Sequence, residues 1–158
     1  MIITEAGSLT IDLIFIIIKE NRIGGSAMNK EELWNQCTQF HGHVCPGLMI
    51  GFRASLYAME LLKLTFSEDE KVVCISENDT CSVDAVQAML GCSVGKGNLL
   101  FHMRGKQAYS FYNRATGSSV RIVLNPKPCR MTREESFAYY RDSSAEELFT
   151  VKDNDLPS

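Results

Sequence analysis

Cys45-Pro46-Gly47-Leu48-Met49-Ile50-Gly51-Phe52-Arg53-Ala54-Ser55-Leu56-Tyr57-Ala58-Met59-Glu60-Leu61-Leu62-Lys63 is apolar around most of its circumference, with charge only at Arg53 and Glu60 before Lys63. A helix that is hydrophobic nearly all round is a buried one. Pro46 suits the first turn, where its missing N–H costs nothing. The stretch therefore predicts a central, buried helix from Gly47 to about Lys63, and the rest of the chain must cover it. Gly47, Gly51 and Ser55 recur every fourth residue, a ridge of small side chains that permits close backbone approach to a sheet or a subunit.

On its N-terminal side, Leu33, Trp34, Cys37 and Phe40 form an apolar stripe on a helix from Lys30 to Phe40, with Asn29 as N-cap. On the other side, Lys71 to Ser76 is a short apolar run bounded by charge, an interior strand. A further helix runs from Cys81 or Ser82 to Leu90 and stops at Gly91. The period then changes to two: Leu99, Phe101 and Met103, then Tyr109, Phe111 and Asn113, then Val120, Ile122 and Leu124, with turns at Gly105 and Gly117. This pattern predicts three antiparallel strands in a meander. Thr132-x-x-Glu135 and Ser144-x-x-Glu147 read as capping boxes of two short closing helices. Helices, then strands, then helices give an α+β class: an antiparallel sheet packed against helices, one of them the buried central helix.

The chain has 158 residues and is 45% hydrophobic, enough for one core. Residues 28–158 read as that core domain. Residues 1–27 read as an N-terminal arm or accessory segment, with an additional sheet strand or an upstream start as alternatives. A net charge of −3 and a pI near 5.6 supply no basic face for nucleic acid. The apolar run Leu9–Ile18 contains Asp12 and is shorter than the roughly 20 residues of a membrane helix. It has no signal-peptide flanks, so a soluble cytoplasmic protein with six reduced cysteines is expected.

Three segments carry chemistry. In His41-Gly42-His43-Val44-Cys45-Pro46, alternation along an extended or turning path lets His41, His43 and Cys45 project to one side. Cys81, Asp84 and Gln87 lie three apart on one helix face, opposite Val83, Val86 and Leu90. Cys45 and Cys81 both stand at helix N-termini, where N–H groups favour thiolate. Thiolates, imidazoles and a carboxylate form a donor set suited to zinc or a similar divalent ion, with Asp84 as ligand or as a group that orients a histidine. Cys37 and Cys74 read as core thiols, Cys129 as incidental and His102 as a partly exposed strand residue. Gly91-Cys92-Ser93-Val94-Gly95-Lys96-Gly97-Asn98 does not match the spacing of a phosphate loop. It reads either as a tight connection or as a cavity wall with Lys96 as the cation for an anionic ligand.

Phe40-His41-Gly42-His43-Val44-Cys45-Pro46-Gly47-Leu48, Cys81-Ser82-Val83-Asp84-Ala85-Val86-Gln87 and Gly91-Cys92-Ser93-Val94-Gly95-Lys96-Gly97-Asn98-Leu99 together resemble the formylmethanofuran dehydrogenase FmdE family, over roughly residues 29–150. The resemblance implies a dimeric α+β core with a Cys, His and Asp cluster. By motif match that cluster transfers to His41, His43, Cys45, Cys81, Asp84, Gln87, Cys92 and Lys96. The paired-cysteine zinc finger that some relatives append has no counterpart after Cys129.

The expectation is thus a homodimeric metal-binding protein whose ion, most simply zinc, is held among His41, His43, Cys45, Cys81 and Cys92. Cys81, Asp84 and Lys96 would be the catalytic candidates for one-carbon or anionic small-molecule redox chemistry. The alternatives are a non-catalytic accessory or metal-delivery partner of an oxidoreductase, and a thiol redox sensor using Cys81 and Cys92.

Overall fold

The computed structural model describes residues 29–153, so the expectations for residues 1–27 lie outside the described residues. Helix α1 spans Lys30–His41 and opens with a capping box in which Asn29 and Glu32 satisfy each other's backbone N–H groups. Helix α2, Pro46–Leu62, is the central one, with Leu48, Ala54 and Ala58 fully buried. Strand β1 (Val72–Ser76) follows, then helix α3 (Ser82–Leu90) and strand β2 (Leu99–Phe101). Strands β3 (Ala108–Asn113) and β4 (Ser118–Leu124) form a hairpin, followed by helix α4 (Arg133–Asp142), the single-turn helix α5 (Ala145–Leu148) and strand β5 (Phe149–Lys152).

The sheet order is β2-β1-β3-β4-β5. The α+β class stands, but the meander does not: β2 pairs in parallel with β1, Cys74 opposite Leu99, and β1 separates β2 from β3. Helix α3 supplies the crossover that a parallel neighbour requires. The anchor of that crossover is Asn98, fully buried, whose side-chain amide donates to Val72 O at 2.9 Å and Gly91 O at 3.3 Å while its oxygen accepts from Ser93 N. The Gly91–Asn98 segment is therefore a hydrogen-bonded connection between α3 and β2. Strand β5 has no forecast in the sequence pattern; it pairs antiparallel with β4, Ile122 opposite Val151.

At Gly47 and Gly51 the small-residue ridge of α2 faces the start of helix α3 rather than the sheet. A Cβ on Gly51 would lie 2.0 Å from the backbone oxygen of Ser82. Helix α4 is fixed to α2 by Arg53, whose guanidinium donates to the backbone oxygens of Tyr140, Arg141 and Ser143 at 2.6–2.8 Å. These are carbonyls at the end of α4 that the helix itself leaves unpaired. Trp34 joins the layers, 5.1 Å from the Phe52 ring and 6.0 Å from that of Phe137. None of the helices among the described residues is long and apolar enough to cross a membrane.

Cys37, Cys74 and Cys92 are fully buried core thiols. Burial pushes Cys37 and Cys92 up to about 12, and Cys74 well above its ordinary value. In the unfolded chain such thiols ionise near pH 9, whereas the folded ones keep their protons until about pH 12. The folded state binds more protons in that window, so stability is complete below pH 9 and falls as pH rises through it. By pH 10.5 each fully shifted thiol should cost about 2 kcal/mol. Urea midpoints under reducing conditions should fall steeply between pH 8 and pH 10.5; a flat profile would contradict this burial.

Candidate metal centre

The site assembles where α1 ends and α2 begins. His41 is the last residue of α1, not part of an extended segment, and Gly42 follows in the left-handed region at φ 90°. That turn folds the chain back so that the His43 ring lies 4.4 Å from the His41 ring, and Cys45 arrives as the N-cap of α2. The three side chains thus converge through a helix end and a left-handed turn rather than through β-like alternation. One donor atom from each of His41, His43 and Cys45 lies within 4.8 Å of the others.

The geometry within the group is directional. Asp84 Oδ2 sits 2.6 Å from His41 Nδ1, and the opposite ring nitrogen, Nε2, lies 3.7 Å from Cys45 Sγ. A carboxylate on Nδ1 keeps the proton there and leaves Nε2 as a lone-pair donor aimed at the sulfur. Gln87 in turn donates to Asp84 Oδ1 at 3.3 Å, fixing the carboxylate. Cys45 Sγ accepts the backbone N–H of Leu48 at 3.3 Å, as an N-cap side chain does.

Cys81 stands next to Cys45: a Cβ on Gly47 would lie 3.8 Å from the Cys81 sulfur and 3.9 Å from that of Cys45. Its environment differs from the one expected at a helix start, because Cys81 caps α3 in helical geometry and its side chain receives no capping hydrogen bond. Burial first, then the hydrogen bond to Cys45 and the charges of Cys45 and Asp84, push the Cys81 thiol up.

Cys81 adjoins the three-residue donor group without belonging to it, and two further expected members, Cys92 and Lys96, lie away from it altogether. Cys92 follows the C-terminal cap of α3 while Cys81 precedes its first residue, and nine helical residues separate them by about 13 Å. Cys92 donates to Val72 O and packs by Cys74. Lys96 donates to Ser67 O at 2.8 Å and stands over the Phe66 ring, so its charge serves the loop before β1. The glycine-rich segment is not a wall of this site, and the Cys81–Cys92 thiol pair has no geometric basis. Cys129 and His102 are both exposed, His102 just beyond β2. Sequence reasoning missed Arg133, Phe137 and Arg141 of α4, which line a cleft beside Cys45. Their four-residue spacing was a signal of one helix face, but nothing local placed that face here.

The family described as "FmdE, Molybdenum formylmethanofuran dehydrogenase operon" matches residues 40–154, which include every residue of this cluster. The chain belongs to the FmdE family. Among solved structures it is similar to a tungsten formylmethanofuran dehydrogenase FmdE-like protein from Syntrophus aciditrophicus, at 27% identity and a TM-score of 0.66 over 83% of this chain and 74% of that one. It is also 36% identical over 98 residues to a probable S-adenosyl-L-methionine-binding protein of Archaeoglobus fulgidus. That match takes in 58% of this chain and 26% of the relative, so the chain spans about a quarter of that protein's length. Membership in the FmdE family accounts for the three motifs occurring together. The fold then separates them, His41, Cys45, Cys81 and Asp84 at one end of α3 and Cys92 and Lys96 at the other.

Proposed function

We propose that the chain binds one divalent metal ion through His41, His43 and Cys45, with zinc the best-suited ion. The observation that carries this is the 3.7 Å between His41 Nε2 and Cys45 Sγ. Zinc bonds of about 2.0–2.1 Å to nitrogen and about 2.3 Å to sulfur, at a tetrahedral angle, separate the two donors by about 3.6 Å. Two histidines and one cysteine leave a fourth position open, the arrangement of catalytic rather than closed structural zinc. A bound ion would supply Lewis-acid polarisation of a small ligand there. Asp84 orients His41, and Cys81 lies beside the Cys45 sulfur.

The family name and the relative's name both point to carriers of one-carbon groups, which supports one-carbon redox metabolism as the setting. The homodimer, the dehydrogenase partner and the cytoplasmic location belong to the same proposal. An accessory or metal-delivery role is the second reading. It is favoured by Phe40 and Val44, exposed to 57% and 50% at the edge of the site, where a partner surface could cover them.

Metal analysis of protein purified without an affinity tag tests the first reading, with about one ion per chain expected. A preparation loaded with zinc and dialysed that retains none would sink it. Asp84→Asn should leave the fold intact and weaken metal binding about 10- to 100-fold, measured by competition with a chromophoric chelator. Unchanged affinity would remove Asp84 from the positioning role.

A further inference from the structure

A cleft of about 250 Å³ opens beside the proposed metal centre, between the Val44–Pro46 turn and the face of α4 that carries Arg133, Phe137 and Arg141. We propose that it binds the carboxylate end of a small monocarboxylate whose other end reaches the metal, with Arg133 as the anion partner. This rests on the metal reading above.

The charges decide between the two arginines. Arg141 is engaged by Asp142 through two hydrogen bonds, Nε to Oδ1 at 2.7 Å and Nη2 to Oδ2 at 2.8 Å, and its guanidinium stands 5.9 Å from the Phe137 ring centre. Its charge is balanced and its position held. Arg133 forms no ion pair with any described residue. A guanidinium binds a carboxylate through two parallel N–H donors, a geometry that a lysine could not supply. The cation that the sequence pattern assigned to Lys96 is thus found on α4, because Lys96 is committed to Ser67 O.

The lining also limits the ligand. Phe137 and Pro46 offer an apolar surface for a short carbon chain, whereas Glu134, also on the lining, repels a second negative charge. The volume lies below the roughly 300–1,000 Å³ of most small-molecule sites, which suits an acid of a few carbons. Arg53 and the Trp34–Phe137 contact fix α4 against α2 and α1, so the cleft is formed in advance.

The test titrates the full chain, zinc-loaded and chelator-stripped, with mercaptoacetate and with uncharged 2-mercaptoethanol, while the Arg133 Nε–H resonance is followed by NMR. Mercaptoacetate should bind the zinc form about tenfold tighter than 2-mercaptoethanol and move the Arg133 signal in both forms. Arg133→Gln should remove the preference without changing metal content. An Arg133 signal unmoved in both forms, or a preference that survives Arg133→Gln, overturns the proposal. A chain that holds no zinc but whose Arg133 signal responds to mercaptoacetate supports the carboxylate cleft and overturns the metal reading alone.

Discussion

Cys45→Ser is expected to lose at least about nine-tenths of the bound metal while folding as the wild type does. The two halves of this outcome have separate causes. Cys45 is the N-cap of α2, and its sulfur accepts the Leu48 N–H. Serine is among the preferred N-cap residues, so the replacement keeps that N–H paired and the helix start intact. A hydroxyl with a pKa far above neutrality does not replace a thiolate at a zinc-type site, so the donor is lost while the cap remains. Cys45→Ala would confuse the two effects, because it also removes the cap at a cost of about 1 kcal/mol. The measurement is metal content and chelator-competition affinity beside a urea curve. Cys81→Ser should retain most of the metal, since Cys81 stands outside the three-residue donor group. Equal metal loss in the two variants would overturn the His41–His43–Cys45 arrangement in favour of a two-thiolate site, and full retention in Cys45→Ser would overturn the site itself.

What the sequence made legible was local. Asn29, Pro46, Gly91 and Thr132 with Glu135 are caps and breakers whose effect is confined to one helical turn, and each marks a helix boundary in the fold. The convergence of His41, His43 and Cys45 was equally readable, because four residues cannot separate them far. Pairing partners were not. Leu99–Phe101 carries the alternation of any half-buried strand, and its parallel place beside β1 depends on the α3 crossover and on Asn98 reaching Val72, contacts some 26 residues apart. Phe149–Lys152 follows a single-turn helix directly, leaving no turn signal before it. For the site, motif order along the chain was mistaken for proximity. Cys81 and Cys92 flank one rigid helix, so the element that makes them neighbours in sequence keeps them apart in space. Arg133 and Arg141 lie 88 and 96 residues beyond Cys45, and the docking of α4 through Arg53 brings that face to the cleft.

Gly51→Ala is expected to destabilise the protein by about 2 kcal/mol or more, against an intrinsic preference of about 1 kcal/mol in the opposite direction. In a free helix alanine is the better residue, so the sign of the change reports the packing. The added Cβ would meet the oxygen of Ser82 at 2.0 Å and its carbonyl carbon and Cα at 2.6 Å. All three are backbone atoms at the first turn of α3, and no rotamer can relieve the clash. Helices α2 and α3 would have to part, and with them the two cysteines, because Gly47 one turn earlier on α2 meets Cys81 in the same way at 3.2 Å. Gly51→Ala should therefore also weaken metal binding without touching a donor, through displacement of Asp84 from His41. Gly47→Ala should be milder, since its 3.2 Å contact calls for a shift of only a few tenths of an ångström where the 2.0 Å contact at Gly51 calls for far more. Urea unfolding of the two variants, read beside their chelator-competition affinities, checks both effects. A Gly51→Ala protein as stable as the wild type would mean that α2 and α3 do not pack backbone to backbone, and the alignment of Asp84 with His41 would then need another cause.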